Sequence, residues 1–73
     1  NDQQEWLSYH WNLVVGKEIA DISNIDKITQ GTLYIRVQGK EWLPALESLK
    51  KKIIQEINSR AGKNLVEKIK LKI

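Results

Sequence analysis

Near its C-terminal end this chain alternates Lys68, Lys70 and Lys72 with Ile69, Leu71 and Ile73, and in its middle it alternates Tyr34 and Arg36 with Leu33, Ile35 and Val37. A spacing of two is the period of an extended strand, whose successive side chains point to opposite faces. Each stretch therefore sorts its residues, aliphatic to one side, cations and tyrosine to the other. Placed side by side in a sheet, the two would put an aromatic ring among several cations on a flat surface. That arrangement stacks bases while neutralising phosphates. Lys27 and Thr29, from a preceding strand, would widen it. A plainer reading stands beside this one: lysines on an open sheet face are simply solvated, or discourage edge pairing.

Other residues offer less. Lys50, Lys51 and Lys52 are consecutive on a helical stretch, and at about 100° per residue they cannot share one side. Their stems flank an apolar stripe as solvated cover, or, with Arg60 and Lys63, extend a basic rim for phosphates. Trp42, at a junction between elements, plugs the end of a thin core or anchors a protein partner, with Lys50 and Lys51 nearby as the rest of that contact. His10 stands alone between Tyr9 and Trp11; a general base needs a nucleophile and an orienting group, and neither is at hand. The acids are scattered without metal-ligand spacing. GKEW and GKN lack the further glycines and the Lys-Ser/Thr ending of a phosphate loop. No catalytic site, metal or cofactor is expected, and no small-molecule substrate.

The elements that would position the sheet cations follow from periodicity. Trp6, Leu7, Trp11, Val14 and Val15 recur at helical spacing from Gln3 to Val15, with Asp2 as N-cap and Glu5 three residues on. Gly16 bends that helix or stops it, and Ile19, Ala20 and Ile22 continue the period. Asp26 to Gln30 reads as a short strand with Ile28 inward, Gln30-Gly31 as a hairpin turn, and Thr32 to Gln38 as the second strand. After Gly39 the apolar positions become Trp42, Leu46, Leu49, Ile53, Ile57 and Ala61, one face of a helix. Pro44 belongs in a first turn, so the regular helix begins at Trp42 or Leu43 after an irregular turn from Lys40. Gly62 ends it, and Leu65 to Ile73 closes the chain as a strand. A right-handed strand–helix–strand crossover makes the second and third strands parallel, and the hairpin makes the first two antiparallel. The prediction is α+β: αββαβ, a three-stranded mixed sheet with the second strand central and both helices on one face.

Seventy-three residues predict one domain over 1–73, thin-cored because a chain of this size buries only about 60–65% of its unfolded surface. There is no Cys, hence no disulfide framework or thiolate site, which fits an intracellular protein. No apolar run approaches the roughly 20 residues of a membrane span, and no secretory signal is present. The chain opens at Asn1 without Met and reads as a piece of a slightly longer protein. Its net charge of +3 is uneven: residues 1–26 hold one base and five acids, residues 27–73 eleven bases and four acids. Segregated charge points to an anionic partner at one face, or serves solubility alone.

Trp11 to Ala20 (WNLVVGKEIA), Ile28 to Val37 (ITQGTLYIRV), Trp42, Leu46, the helix bearing Ile53 and Ile57, and the closing alternating strand resemble the DciA-type family. These are bacterial proteins long described only as a domain of unknown function, and they include a loader of the replicative helicase. The distinctive positions are Trp11, Val15-Gly16, Ile19-Ala20, Gly31 and Trp42; the rest are mostly apolar. The order of elements is also similar to the N-terminal domain of the DnaA initiator. The resemblance implies a KH-like, cytoplasmic module that helps load a replicative helicase of the DnaB type and touches single- or double-stranded DNA weakly. Asp21 stands where family members often carry His, and no Ser opens the helix near Gly39-Lys40, so its cap is looser. No GxxG loop is present, so nucleic acid would meet the sheet or the basic rim rather than the KH clamp. A module that binds protein alone, through the acidic first helix or the surroundings of Trp42, is the alternative.

Overall fold

The computed structural model describes residues 3–73; the N-cap expected of Asp2 lies outside the described residues. Helix α1 spans Gln3–Val15 and buries Leu7 and Trp11. Gly16, at φ 89° and ψ 161°, takes a conformation that is essentially glycine's alone, so it ends α1 instead of bending it. A short α2, Lys17–Asp21, restarts at once and buries Ile19. Strands β1 (Ser23–Thr29), β2 (Thr32–Val37) and β3 (Lys68–Lys72) form one sheet in the order β1-β2-β3, antiparallel then parallel. A 3₁₀ turn, Lys40–Trp42, leads into α3, Leu43–Ala61, with Pro44 in its first turn. No side chain caps α3, as the missing Ser implied.

One core joins the layers. Leu33, Ile35 and Val37 of β2 and Ile69 of β3 meet Leu7 and Trp11 of α1, Ile19 of α2 and Leu46, Ile53 and Ile57 of α3. Both long helices thus cover one sheet face, as the alternation predicted. Each such side chain contributes on the order of 1.5–3 kcal/mol by leaving water, so the central strand is also the energetic centre. Trp6 and Trp42 pack half-buried at the core's edge. The hairpin turn has positive φ at both Gln30 (50°) and Gly31 (80°), the pattern of a type I′ turn whose twist suits two short strands. Gly62, at φ 71°, closes α3, its N–H and that of Lys63 donating to the Asn58 carbonyl at 2.9 and 3.3 Å.

Two strand starts differ from the periodicity reading, and each strand ends one residue earlier than expected. β1 starts at Ser23, three residues before the expected Asp26, because a bulge interrupts it: Ile25 opposes Ile35 and Lys27 opposes Tyr34, with Asp26 unpaired between. The extra residue lets Ile25 and Ile28, an odd spacing apart, both pack on the core. β3 starts at Lys68 and not at Leu65, because Leu65 and Val66 are adjacent and both buried, which an extended strand does not allow. Val66 is held instead by the Asn58 side chain, whose Nδ2 donates to its carbonyl (2.9 Å) and whose Oδ1 accepts its N–H (2.8 Å). The Gly31 carbonyl then accepts the N–H groups of Glu67 (2.7 Å) and Lys68 (3.1 Å), setting β3 beside the hairpin.

Candidate nucleic-acid interface

The sheet face away from the helices is built in three rows. In register, Thr29, Thr32 and Lys68 form one, Lys27, Tyr34 and Lys70 the next, and Asn24, Arg36 and Lys72 the third. Along β2 and β3 neighbouring rows lie two residues apart, about 6.6–6.8 Å. Every sheet residue named from the sequence as a nucleic-acid candidate (Lys27, Tyr34, Arg36, Lys68, Lys70, Lys72) is therefore on this one face. The bulge is what lets Lys27 lie there while Ile25 still packs on the core. Strict alternation back from Ile28 would agree at Lys27 but would turn Ile25 outward, and the core would lose it.

The rows are not equivalent. In the middle row the Lys27 ammonium sits 5.0 Å from the centre of the Tyr34 ring, within reach of the ring's negative face. Tyr34 is half-buried, while Lys68 and Lys70 are exposed and make no ion pair among the described residues. The third row is partly neutralised. Asp26, thrown onto this face by the bulge, accepts a hydrogen bond from Lys72 Nζ at 3.0 Å and lies 3.6 Å from Arg36 Nη2. Arg36 Nη1 also donates to the Ile73 carbonyl at 3.1 Å. The hydrogen bond from Lys72 holds the Asp26 carboxyl below its ordinary value; burial opposes this, and the charges of Lys72, Arg36 and Lys27 reinforce it. On the other side of the bulge, Gln4 Nε2 of α1 donates to the Asp26 carbonyl at 3.1 Å. The backbone is thereby tied to the helix layer while the carboxylate faces the cations.

The remaining candidates lie elsewhere. Trp42 is half-buried at the head of α3. Lys50 pairs with Glu47 at 3.2 Å, and Lys51 is exposed; both belong to α3, across the core from the open sheet face. Arg60 is engaged with Glu56 at 3.4 Å. His10 stacks on Trp6 (ring centres 4.4 Å apart), meets the edge of Tyr9, and bonds through Nδ1 to the Trp6 carbonyl at 2.9 Å, a helix-flank arrangement. Among the described residues no three His, Cys, Asp or Glu side chains come together as a metal cage, and no helix is long and apolar enough to cross a membrane.

Sequence reasoning missed two groups that position this face. Ser23, almost wholly buried, donates its hydroxyl to the Ile19 carbonyl (2.5 Å) and accepts Trp11 Nε1–H (3.0 Å), fixing the start of β1 to α1 and α2. Asp26 was visible only as one acid in an acidic segment. The odd spacing of Ile25 and Ile28 was the available signal for the bulge that aims it.

The family model described as "Dna[CI] antecedent, DciA" matches residues 2–71. A UPF0232 protein of Corynebacterium glutamicum (strain R) is 24% identical over 66 residues, covering 90% of this chain and 37% of that protein. The chain thus spans little more than a third of the length of the curated relative it matches.

Proposed function

This chain belongs to the DciA family, and from that membership we propose that its fold serves bacterial DNA replication as a non-catalytic, cytoplasmic adaptor in loading a DnaB-type helicase. In this reading the open sheet face contributes weak binding of single-stranded DNA. One observation carries the DNA half: Lys27, Tyr34 and Lys70 lie in register across the strands, with Lys68 in the adjoining row, and Lys68 and Lys70 have no acidic partner among the described residues. Three cations can neutralise about three phosphates, and the ring offers a stacking surface once Lys27 swings off it to a phosphate.

Fluorescence anisotropy with a labelled oligothymidylate tests this. Three phosphate contacts to a single strand predict a log–log salt slope of about −2. Lys68→Ala with Lys70→Ala lowers the affinity and flattens that slope, and Tyr34→Ala lowers the affinity with little change in slope. No binding at 20 mM salt removes the DNA half of the proposal.

A second reading rests on α1. Tyr9 is 82% and Leu13 60% exposed on the side away from the core, beside the stacked Trp6–His10 pair, and such residues serve as protein anchors. Helicase capture that survives the sheet lysine substitutions and fails with Tyr9→Ala and Leu13→Ala favours a purely protein-binding module on this face over Trp42, Lys50 and Lys51.

A further inference from the structure

We propose that Asp26 sets the affinity and the footprint of the sheet face by occupying Arg36 and Lys72, the pair of cations that an incoming strand's phosphate would otherwise take. The inference rests on the nucleic-acid reading above and specifies its site: a short strand held on the Lys27–Tyr34–Lys70 and Lys68 side, excluded from the third row by an internal carboxylate.

The geometry is that of a built-in anion. A carboxylate at 3.0 Å from Lys72 Nζ and 3.6 Å from Arg36 Nη2 presents oxygens to both cations much as a phosphate would. Its backbone is held there by construction. The bulge places Asp26 out of register, Gln4 anchors its carbonyl from the helix side, and Arg36 is further fixed by the Ile73 carbonyl. The pair is only half-exposed, with side-chain exposures of 26% for Asp26, 49% for Arg36 and 42% for Lys72. Salt therefore screens it less than it screens a strand approaching from solvent. A phosphate entering the third row must displace Asp26 or lie beside it, and like charge disfavours both. The two cations nearest the end of β3 are thus withdrawn from binding, while Lys68 and Lys70 on the same strand remain free.

Asp26→Asn tests this, because it keeps size and shape while removing the charge. The probe is a labelled oligothymidylate titrated at several salt concentrations, with folding of each variant checked by circular dichroism and thermal melting. Freeing Arg36 and Lys72 adds up to two phosphate contacts, and the slope steepens by about 0.7 for each. One recovered contact corresponds to about eightfold between 1 M and 50 mM salt, so Asp26→Asn binds at least about fivefold tighter at 50 mM. Glu18→Gln, an equal change of net charge on exposed α2, leaves affinity within about twofold. Adding Lys72→Ala to Asp26→Asn abolishes most of the gain. Binding by the wild-type protein with no gain in Asp26→Asn, or an equal gain in Glu18→Gln, overturns the role of Asp26 while leaving the sheet reading intact. Binding by neither wild type nor Asp26→Asn overturns the sheet reading itself. Binding by Asp26→Asn alone supports the role of Asp26 and counts against DNA binding by the wild-type face.

Discussion

Ser23→Ala probes the joint that holds β1, and with it Lys27 and Asp26, against the helices. The substitution removes two hydrogen bonds from a residue only 2% exposed. Their loss is unequal. The Ile19 carbonyl keeps the N–H of Ile22 at 3.2 Å, so it is not orphaned. Trp11 Nε1–H, on a side chain 4% exposed, loses the Ser23 oxygen at 3.0 Å. A buried donor without a partner costs about 1–3 kcal/mol. Relief is at hand, because a cleft of about 250 Å³ lined by Ser8, Trp11, Asn12, Ala20, Ser23, Asn24 and Ile25 has the room and polar groups for a bridging water. The expected loss is therefore about 1–2 kcal/mol, read as a fall in Tm of about 4–8 °C per kcal/mol for a chain of this size. Urea unfolding followed by tryptophan fluorescence measures it, with Trp11→Phe completing a double-mutant cycle. In the Trp11→Phe background the Ser23→Ala loss shrinks by about 1 kcal/mol, because no indole donor is left to strand. A Ser23→Ala loss below about 0.3 kcal/mol, or an equal loss in both backgrounds, would refute the assignment.

Two further outcomes follow from the hairpin and the bulge. Gln30 sits at φ 50°, where an ordinary residue is strained, so Gln30→Asn, which suits a type I′ turn, raises stability by about 0.5–1 kcal/mol in the same unfolding assay. Asp26 has a folded-state pKa below its ordinary 3.8, chiefly through the Lys72 hydrogen bond, and a depressed carboxyl stabilises the fold above its unfolded value and ceases to as pH falls through its folded one. Urea midpoints of wild type and Asp26→Asn thus differ at neutral pH in favour of wild type and converge as pH drops below about 3.8; midpoints that stay parallel down to strongly acid pH count against the ion pair.

The parts of the fold governed by clean periods were legible in the residues. Alternation in Thr32–Val37 and Lys68–Lys72 gave the faces of β2 and β3, and Pro44 and Gly62 bracketed α3 to within a residue. What was illegible depends on side chains that satisfy backbone groups across the fold. Val66 is paired by Asn58, not by a neighbouring strand, so Leu65 looked like strand when it is a crossing loop. Periodicity alone shortens β1, because Ile25 and Ile28 break period two and a bulge is needed to put both inside. The same bulge decided the chemistry of the face. Six cationic or aromatic candidates could be assigned to one surface from sequence, but the carboxylate that silences two of them arrives from a residue without a ladder partner.

The central claim is that the open face of the sheet, at the rows holding Lys27, Tyr34, Lys70 and Lys68, meets single-stranded DNA. Amide shift perturbation in the ¹⁵N-labelled protein on titration with an oligothymidylate at 20 mM salt tests it residue by residue. The largest shifts are predicted at Lys27, Tyr34, Lys68 and Lys70, smaller ones at Arg36 and Lys72, and none at Lys50 and Lys51. Shifts centred on α3, or a spectrum unchanged at millimolar oligonucleotide, would contradict it.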